Sequence, residues 1–256
     1  TERDKILEEY PSAEKFIKPI VGSRELLNGQ ERYCLWIDDL ELNEAMAYEP
    51  IRDRIERVRV LREKNSDPSV VEKAQAAHQF REHILAGQTL ALPRVASELR
   101  PYVVVAEVAD TVVSDSAFMI ANPCMWHTGV LSNRMMHQWL HAVGGKLEDR
   151  TRFSNTLVYN TFPVPNLTED RKKVLDDCAR AILKARQPYL DEGKTLAWLY
   201  GKDMPTELKA AHEALDLEYE TMCIGRAFRD DVERLAWLFR EYEKMKKRHD
   251  AKNKKR

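Results

Sequence analysis

Glycine is scarce in this sequence, nine in 256 residues, and none of it forms a G-x-G-x-x-G fingerprint or a P-loop. No nucleotide- or cofactor-cradling loop can therefore be identified. Also missing is the Asn or Asp followed by two prolines and an aromatic residue that usually serves methyl transfer to a base amine. Asn160-Thr-Phe-Pro163 has its proline in the wrong order and reads as a strand end and turn. No apolar run is long enough to cross a bilayer. Thr1-Glu2-Arg3-Asp4-Lys5 is charged where a signal peptide would be apolar, so a cytoplasmic location is expected. The chain opens without an initiator Met, which suggests a piece of something longer.

Metal and nucleophile signatures are equally thin. The four cysteines, Cys34, Cys124, Cys178 and Cys223, make no C-x-x-C pair and lie among apolar neighbours. They read as buried free thiols in a reducing cytosol. His137 and His141 have metal-ligand spacing on a helix, but no third ligand and no H-E-x-x-H accompany them. Packed or surface histidines are the simpler reading. Glu192-Gly-Lys194 has the E-x-K spacing of some nucleases but lacks a preceding strand acid. No nucleophile elbow occurs. The expectation is a chain with no catalytic residues, no metal and no cofactor of its own.

What remains is an ordinary globular composition. Hydrophobic residues make up 43% and charged residues 32%, enough for a core. The net charge of −1 is low for an autonomous nucleic-acid-binding domain, so the placement of charge matters more than its sum.

The first two thirds read as mixed α and β. Strand signatures lie at Arg32–Ile37, Leu90–Val95, Tyr102–Ala106, Thr111–Val113, Ala117–Ile120 and Thr156–Tyr159. Pro93 marks the second as an edge or a bulge. Helices are expected from Pro50 to Lys64, from Pro68 towards His83 and from Met125 to Val143, the last stopped by Gly144-Gly145. The first carries Ile51, Ile55, Val58 and Leu61 on one stripe and Arg52, Arg54, Arg57, Arg59 and Arg62 elsewhere. Those arginines suit a phosphate backbone, or else pairing with Glu56 and Glu63. Composition changes at Phe162-Pro-Val-Pro165, and the rest reads as helix. Val174, Cys178, Ala181, Ile182 and Ala185 form one stripe, and Trp198, Tyr219, Trp237 and Phe239 read as core. The fold class is thus α+β, an α/β domain at 1–165 followed by an all-α domain with a basic tail at 166–256.

Two loops concentrate cations, carboxylates and hydroxyls. One is Pro93–Arg100, with Arg94, Ser97, Glu98 and Arg100. The other is Gly144–Asn155, with Lys146, Glu148, Asp149, Arg150, Arg152, Ser154 and Asn155. Arg suits guanine, Asn suits adenine, and a carboxylate suits the cytosine amine. Phosphate binding alone would need only cations. Composition by itself favours solvated, ion-paired loops.

At these residues the sequence resembles the target-recognition region of the MmeI-like DNA methyltransferases, single-chain restriction-modification enzymes. The resemblance rests on Phe16–Glu25, Gly29–Trp36, His78-Gln-Phe80, Pro93–Glu98, Ser114–Ala117 and Gly129–Ser132. Its strongest stretch is Ala142–Leu147 followed by Arg152–Pro165. Ala181–Arg186, Thr195–Ala197, Leu199-Tyr200 and Met204-Pro205 resemble the family's helical C-terminal part. It implies an upstream methyltransferase domain, preceded in many members by a nuclease. That domain uses S-adenosylmethionine and methylates adenine in a short asymmetric site of double-stranded DNA. The motifs missing here would lie in that domain. The resemblance assigns base readout to Glu148, Asp149, Arg150 and Arg152, and to Asp115 and Ser116. Further DNA contacts fall to Arg94, Ser97, Glu98, Arg100, Lys146, Ser154 and Asn155. Lys146 stands where relatives commonly carry Arg, and Thr151 where they commonly carry an aromatic residue. The competing readings are a helical protein-interaction module without DNA readout, and a free-standing enzyme with a pocket of convergent titratable groups.

Overall fold

The structure is a computed structural model that describes residues 1–147 and 150–253. In chain order its elements begin with α1 (Glu2–Glu9), β1 (Ile17–Val21), α2 (Ser23–Asn28), β2 (Tyr33–Leu35), α3 (Leu42–Ala45), α4 (Glu49–Glu63) and α5 (Pro68–Glu72). There follow β3 (Gln88–Pro93), β4 (Val95–Ala96), β5 (Ala106–Ala109), β6 (Val112–Val113), β7 (Ala117–Ala121), α6 (Met125–Leu131), α7 (Arg134–Val143), β8 (Gly145–Leu147) and β9 (Arg150–Arg152). The remainder is helical: α8 (Glu169–Asp191), α9 (Leu196–Leu199), α10 (Thr206–Ile224) and α11 (Asp231–Asn253). No helix of the described residues is long and apolar enough to cross a membrane.

Two compact units emerge. The first comprises Thr1–Val21, Glu31–Gly87 and Ala109–Ser114. Its sheet has the order β2-β1-β6, with Ile17 opposite Leu35 in the antiparallel pair and Ile20 opposite Val112 in the parallel one. Ile6, Ala13, Phe16, Ile37, Ala45 and Ile51 form its main core. Thr1 caps α1 through a reciprocal bond with Asp4, a helix that the sequence reading missed. On α4 only Ile51 is buried, and Leu61 is 70% exposed, so the apolar stripe is covered at one end only.

The second unit comprises Gly22–Gln30, Gln88–Val108 and Asp115–Arg256. One large core joins Leu90, Leu92 and Val103–Val105 to Met135, Trp139 and Leu140 and to Leu175, Ile182, Leu215 and Tyr219 of the C-terminal helices. The strands and the helices of this unit thus bury one another's apolar faces. On α8 the buried stripe is Leu175, Ala179, Ile182 and Arg186. It lies one residue along from the expected one, and Ala181 is exposed.

Several local expectations are corrected. Leu90–Pro93 belongs to the central strand of the sheet β5-β3-β7, not an edge. Pro93 is tolerated because it closes the strand. Tyr102–Val105 is buried but lies outside any ladder, and the strand begins at Ala106. Thr156–Tyr159 is no strand. Asn155–Tyr159 is a π-helical turn that Ser154 caps at Leu157 N, with only Val158 buried. The helix expected over 125–143 breaks at Asn133, whose Oδ1 accepts from Met136 N while Nδ2 donates to Gly129 O and Val130 O. The helix from Pro68 ends early, in a 3-10 turn at Lys73–Ala76. Cys124 is exposed rather than buried, and Trp198 and Phe239 are 42% and 44% exposed.

Gly144 ends α7 and lets β9 approach it closely. A Cβ there would lie 2.4 Å from Leu140 O and 2.7 Å from Thr151 Cγ2. Gly144→Ala should therefore lower stability by about 1–3 kcal/mol, the usual range for overpacking. Denaturant midpoints of the two proteins check this, and equal midpoints would show that helix and strand are free to separate.

Candidate nucleic-acid interface

The two charged loops, about fifty residues apart in sequence, meet in one small sheet of the second unit. Its order is β4-β9-β8, all antiparallel. Val95 faces Arg152 and Ala96 faces Thr151. On the other side Lys146 faces Thr151 and Leu147 faces Arg150. β9 alternates exposed, buried, exposed, so burial of Thr151 sends Arg150 and Arg152 to the opposite, solvent side. Among the described residues no hydrogen bond or ion pair holds the Arg152 guanidinium. Glu148 and Asp149, the other expected base readers, lie outside the described residues.

The rest of the expected set divides by role. Lys146 Nζ donates to Glu98 Oε1 at 2.9 Å and to Thr151 Oγ1 at 3.2 Å. That contact holds the Glu98 carboxyl below its ordinary pKa. Arg94 is half-buried and lies over the Phe118 ring at 4.7 Å, and its amide donates to Ser116 O and Ser23 Oγ. Its carbonyl receives Phe153 N at 2.8 Å, which ties it to the end of β9. Ser116 anchors the backbone, since its Oγ accepts from Ser23 N at 3.1 Å. Asp115 beside it is exposed.

Ser97 shapes a tight turn, in which its carbonyl accepts from Arg100 N and its hydroxyl from Leu99 N. Leu99 is left 81% exposed at the tip. Arg100 is half-buried, and desolvation lowers its pKa. Ser154 is spent on capping. Asn155 is exposed, with Oδ1 accepting from Thr156 N.

Two histidines of α7 underlie this sheet. His137 Nε2 lies 2.9 Å from Arg100 O, and His141 Nδ1 lies 3.0 Å from Thr151 Oγ1. Burial, with the nearby His141 and Arg134, pulls His137 down to about 4. Burial first, and the Lys146 charge second, lower His141. Both histidines are packing partners here, and no group of three or more metal-ligating side chains occurs among the described residues.

The frame behind them is cross-linked by buried polar bonds. Arg186, 2% exposed, donates to Val105 O and to the Tyr200 hydroxyl. His212 bridges the Tyr200 hydroxyl at 2.9 Å and Ser132 O at 3.0 Å. Asp216, pushed up to about 6 by burial, accepts from Tyr102 Oη and Arg134 N. Apart from the two bonds to Tyr200, each runs from a C-terminal helix to the segments at 102–105 or 132–134. None of this was visible in sequence, because Arg186, His212 and Asp216 read as ordinary helix residues.

The arginine-rich face of α4 resolves towards local pairing. Arg59 bonds Glu56 and Glu63, Arg54 pairs with Glu2, and Arg62 donates to the carbonyls of Lys73, Ala76 and Gln79. Arg52 and Arg57 bond the carbonyls of Met46 and Asp53.

An exposed sheet of mixed charge, carried on a hydrogen-bonded helical frame, defines a recognition module. Residues 1–166 match the family model described as MmeI, target recognition domain, and residues 167–249 match MmeI, C-terminal domain. The chain belongs to this MmeI family. It is 35% identical over 251 residues to DNA methyltransferase A of Bacillus subtilis (strain 168), covering 97% of this chain and 28% of that protein. It also matches the structure of the Type IIL restriction-modification enzyme MmeI in complex with DNA, with a TM-score of 0.90 and 32% identity. That match covers 96% of this chain and 33% of the solved one. The chain thus spans about a third or less of the relatives it matches.

Proposed function

We propose that this chain is the sequence-specific DNA-recognition module of a bacterial adenine-specific DNA methyltransferase of the restriction-modification type. Residues 1–165 form the target-recognition domain, and residues 166–256 the helical domain that supports it. The upstream part of the same polypeptide binds S-adenosylmethionine and performs the transfer, in the cytoplasm, and no residue of this chain is assigned to the cofactor. The observation that carries the reading is the β4-β9-β8 sheet, which joins two separate mixed-charge stretches and turns the side chains of β9 alternately outward.

The chemistry is that of major-groove readout. Arg150 and Arg152 donate to guanine, and Glu148 and Asp149 accept from a cytosine or adenine amine. Asp115 and Ser116 read from the neighbouring turn. Arg94, Arg100 and Lys146, with Ser97, Glu98, Ser154 and Asn155, fix the register on the backbone or reach adjacent bases. The target adenine is then flipped into the catalytic domain.

Selection of duplexes from a randomised pool by the complete polypeptide tests the reading. One short asymmetric motif should be enriched. Retention of all sequences alike would leave the helical part as a protein-docking module.

A further inference from the structure

Thr151 occupies the middle of β9 and is fully buried between two exposed arginines. Its hydroxyl has two partners, Lys146 Nζ at 3.2 Å and His141 Nδ1 at 3.0 Å. An ammonium can only donate, so the threonine oxygen accepts from Lys146. Its second lone pair or its proton meets His141 Nδ1, so the lysine and the histidine both hold the hydroxyl in place. Burial first, and the Lys146 charge second, disfavour the charged form of His141. Lys146 also holds Glu98 across the sheet at 2.9 Å.

Thr151 therefore does two separable things. Burying its side chain sets the register of β9. Its hydroxyl fixes where an exposed, four-carbon cation points, a geometry that a surface lysine does not keep unaided. The resulting ammonium–carboxylate pair presents a donor beside an acceptor. A G·C pair presents the complement in the major groove, with the guanine O6 and N7 acceptors beside the cytosine amine.

We propose that Thr151 and His141 are positioning residues that aim the Lys146 ammonium and the Glu98 carboxylate together at one G·C pair of the recognised site. This rests on the DNA-reading function above.

The test uses the complete polypeptide and competition binding against duplexes changed one base pair at a time within its selected motif. Thr151→Val keeps shape and removes the hydroxyl. It should lose about tenfold in discrimination at a single G·C position and nothing elsewhere, whereas Thr151→Ser keeps the wild-type profile. Lys146→Met should relax the same position, and it carries the test alone if Thr151→Val fails to fold. A wild-type profile for Lys146→Met, or a uniform loss at all positions for either variant, overturns the proposal. Arg152→Ala separates the two levels. If it relaxes one position while Lys146→Met relaxes none, only this inference falls. If neither variant alters any position, the DNA-reading function falls with it.

Discussion

Glu220→Ala should destabilise the protein by about 3–5 kcal/mol, the range for removing one member of a buried ion pair. Glu220 is 1% exposed on α10. Its carboxylate accepts from Arg234 Nε and from Phe228 N, each at 2.7 Å. Truncation leaves a mostly buried guanidinium with one remaining carboxylate, Asp231, and a buried amide without an acceptor. Glu220→Gln keeps the shape and one acceptor oxygen, and should cost less than the alanine variant. Denaturant unfolding checks both. Two curves that coincide with the wild type would mean that α10 and α11 are held by apolar contacts such as those of Trp237 and Leu238 alone.

Arg152→Ala should relax specificity at one base position, by about 1–3 kcal/mol or roughly ten- to hundredfold. Arg152 is exposed, its backbone is held on both sides by β4 and β8, and none of the described residues engages its guanidinium. A side chain so placed meets a ligand without first breaking a contact to any described residue. The measurement is the affinity of wild type and variant for every single-base change of the motif. A uniform fall across all duplexes, with a shallower salt dependence, would make Arg152 a phosphate contact instead.

How much of this was legible in the sequence depended on whether the signal was periodic. Long helices with clear start signals, such as α8 behind its Thr168 cap and α10 behind Pro205, are plain. So is the stop at Gly144, although its reason, the approach of Thr151, is not. Thr156-Leu-Val-Tyr159 misled because β-branched and aromatic composition resembles a strand while only Val158 is buried. The Tyr102–Val105 run misled similarly, since a fully buried segment shows no alternation whether or not it joins a ladder.

The interface was legible in kind but not in layout. Mixed charge marks Pro93–Arg100 and Gly144–Asn155 as loops of interest. Only pairing of Val95 with Arg152 makes them one surface. The buried supports, Arg186 beneath Val105 and His212 beneath Ser132, depend on contacts some 80 residues apart in sequence. Local patterning carries no trace of such contacts.

The central claim is that this chain selects the bases at which a larger enzyme acts. The most direct test is to express the complete gene in a methylation-free host and map modified bases by single-molecule sequencing. The account predicts a short asymmetric motif with methylated adenine on one strand, altered at one position by Arg152→Ala. A folded protein that binds S-adenosylmethionine yet leaves no motif-specific mark would contradict it.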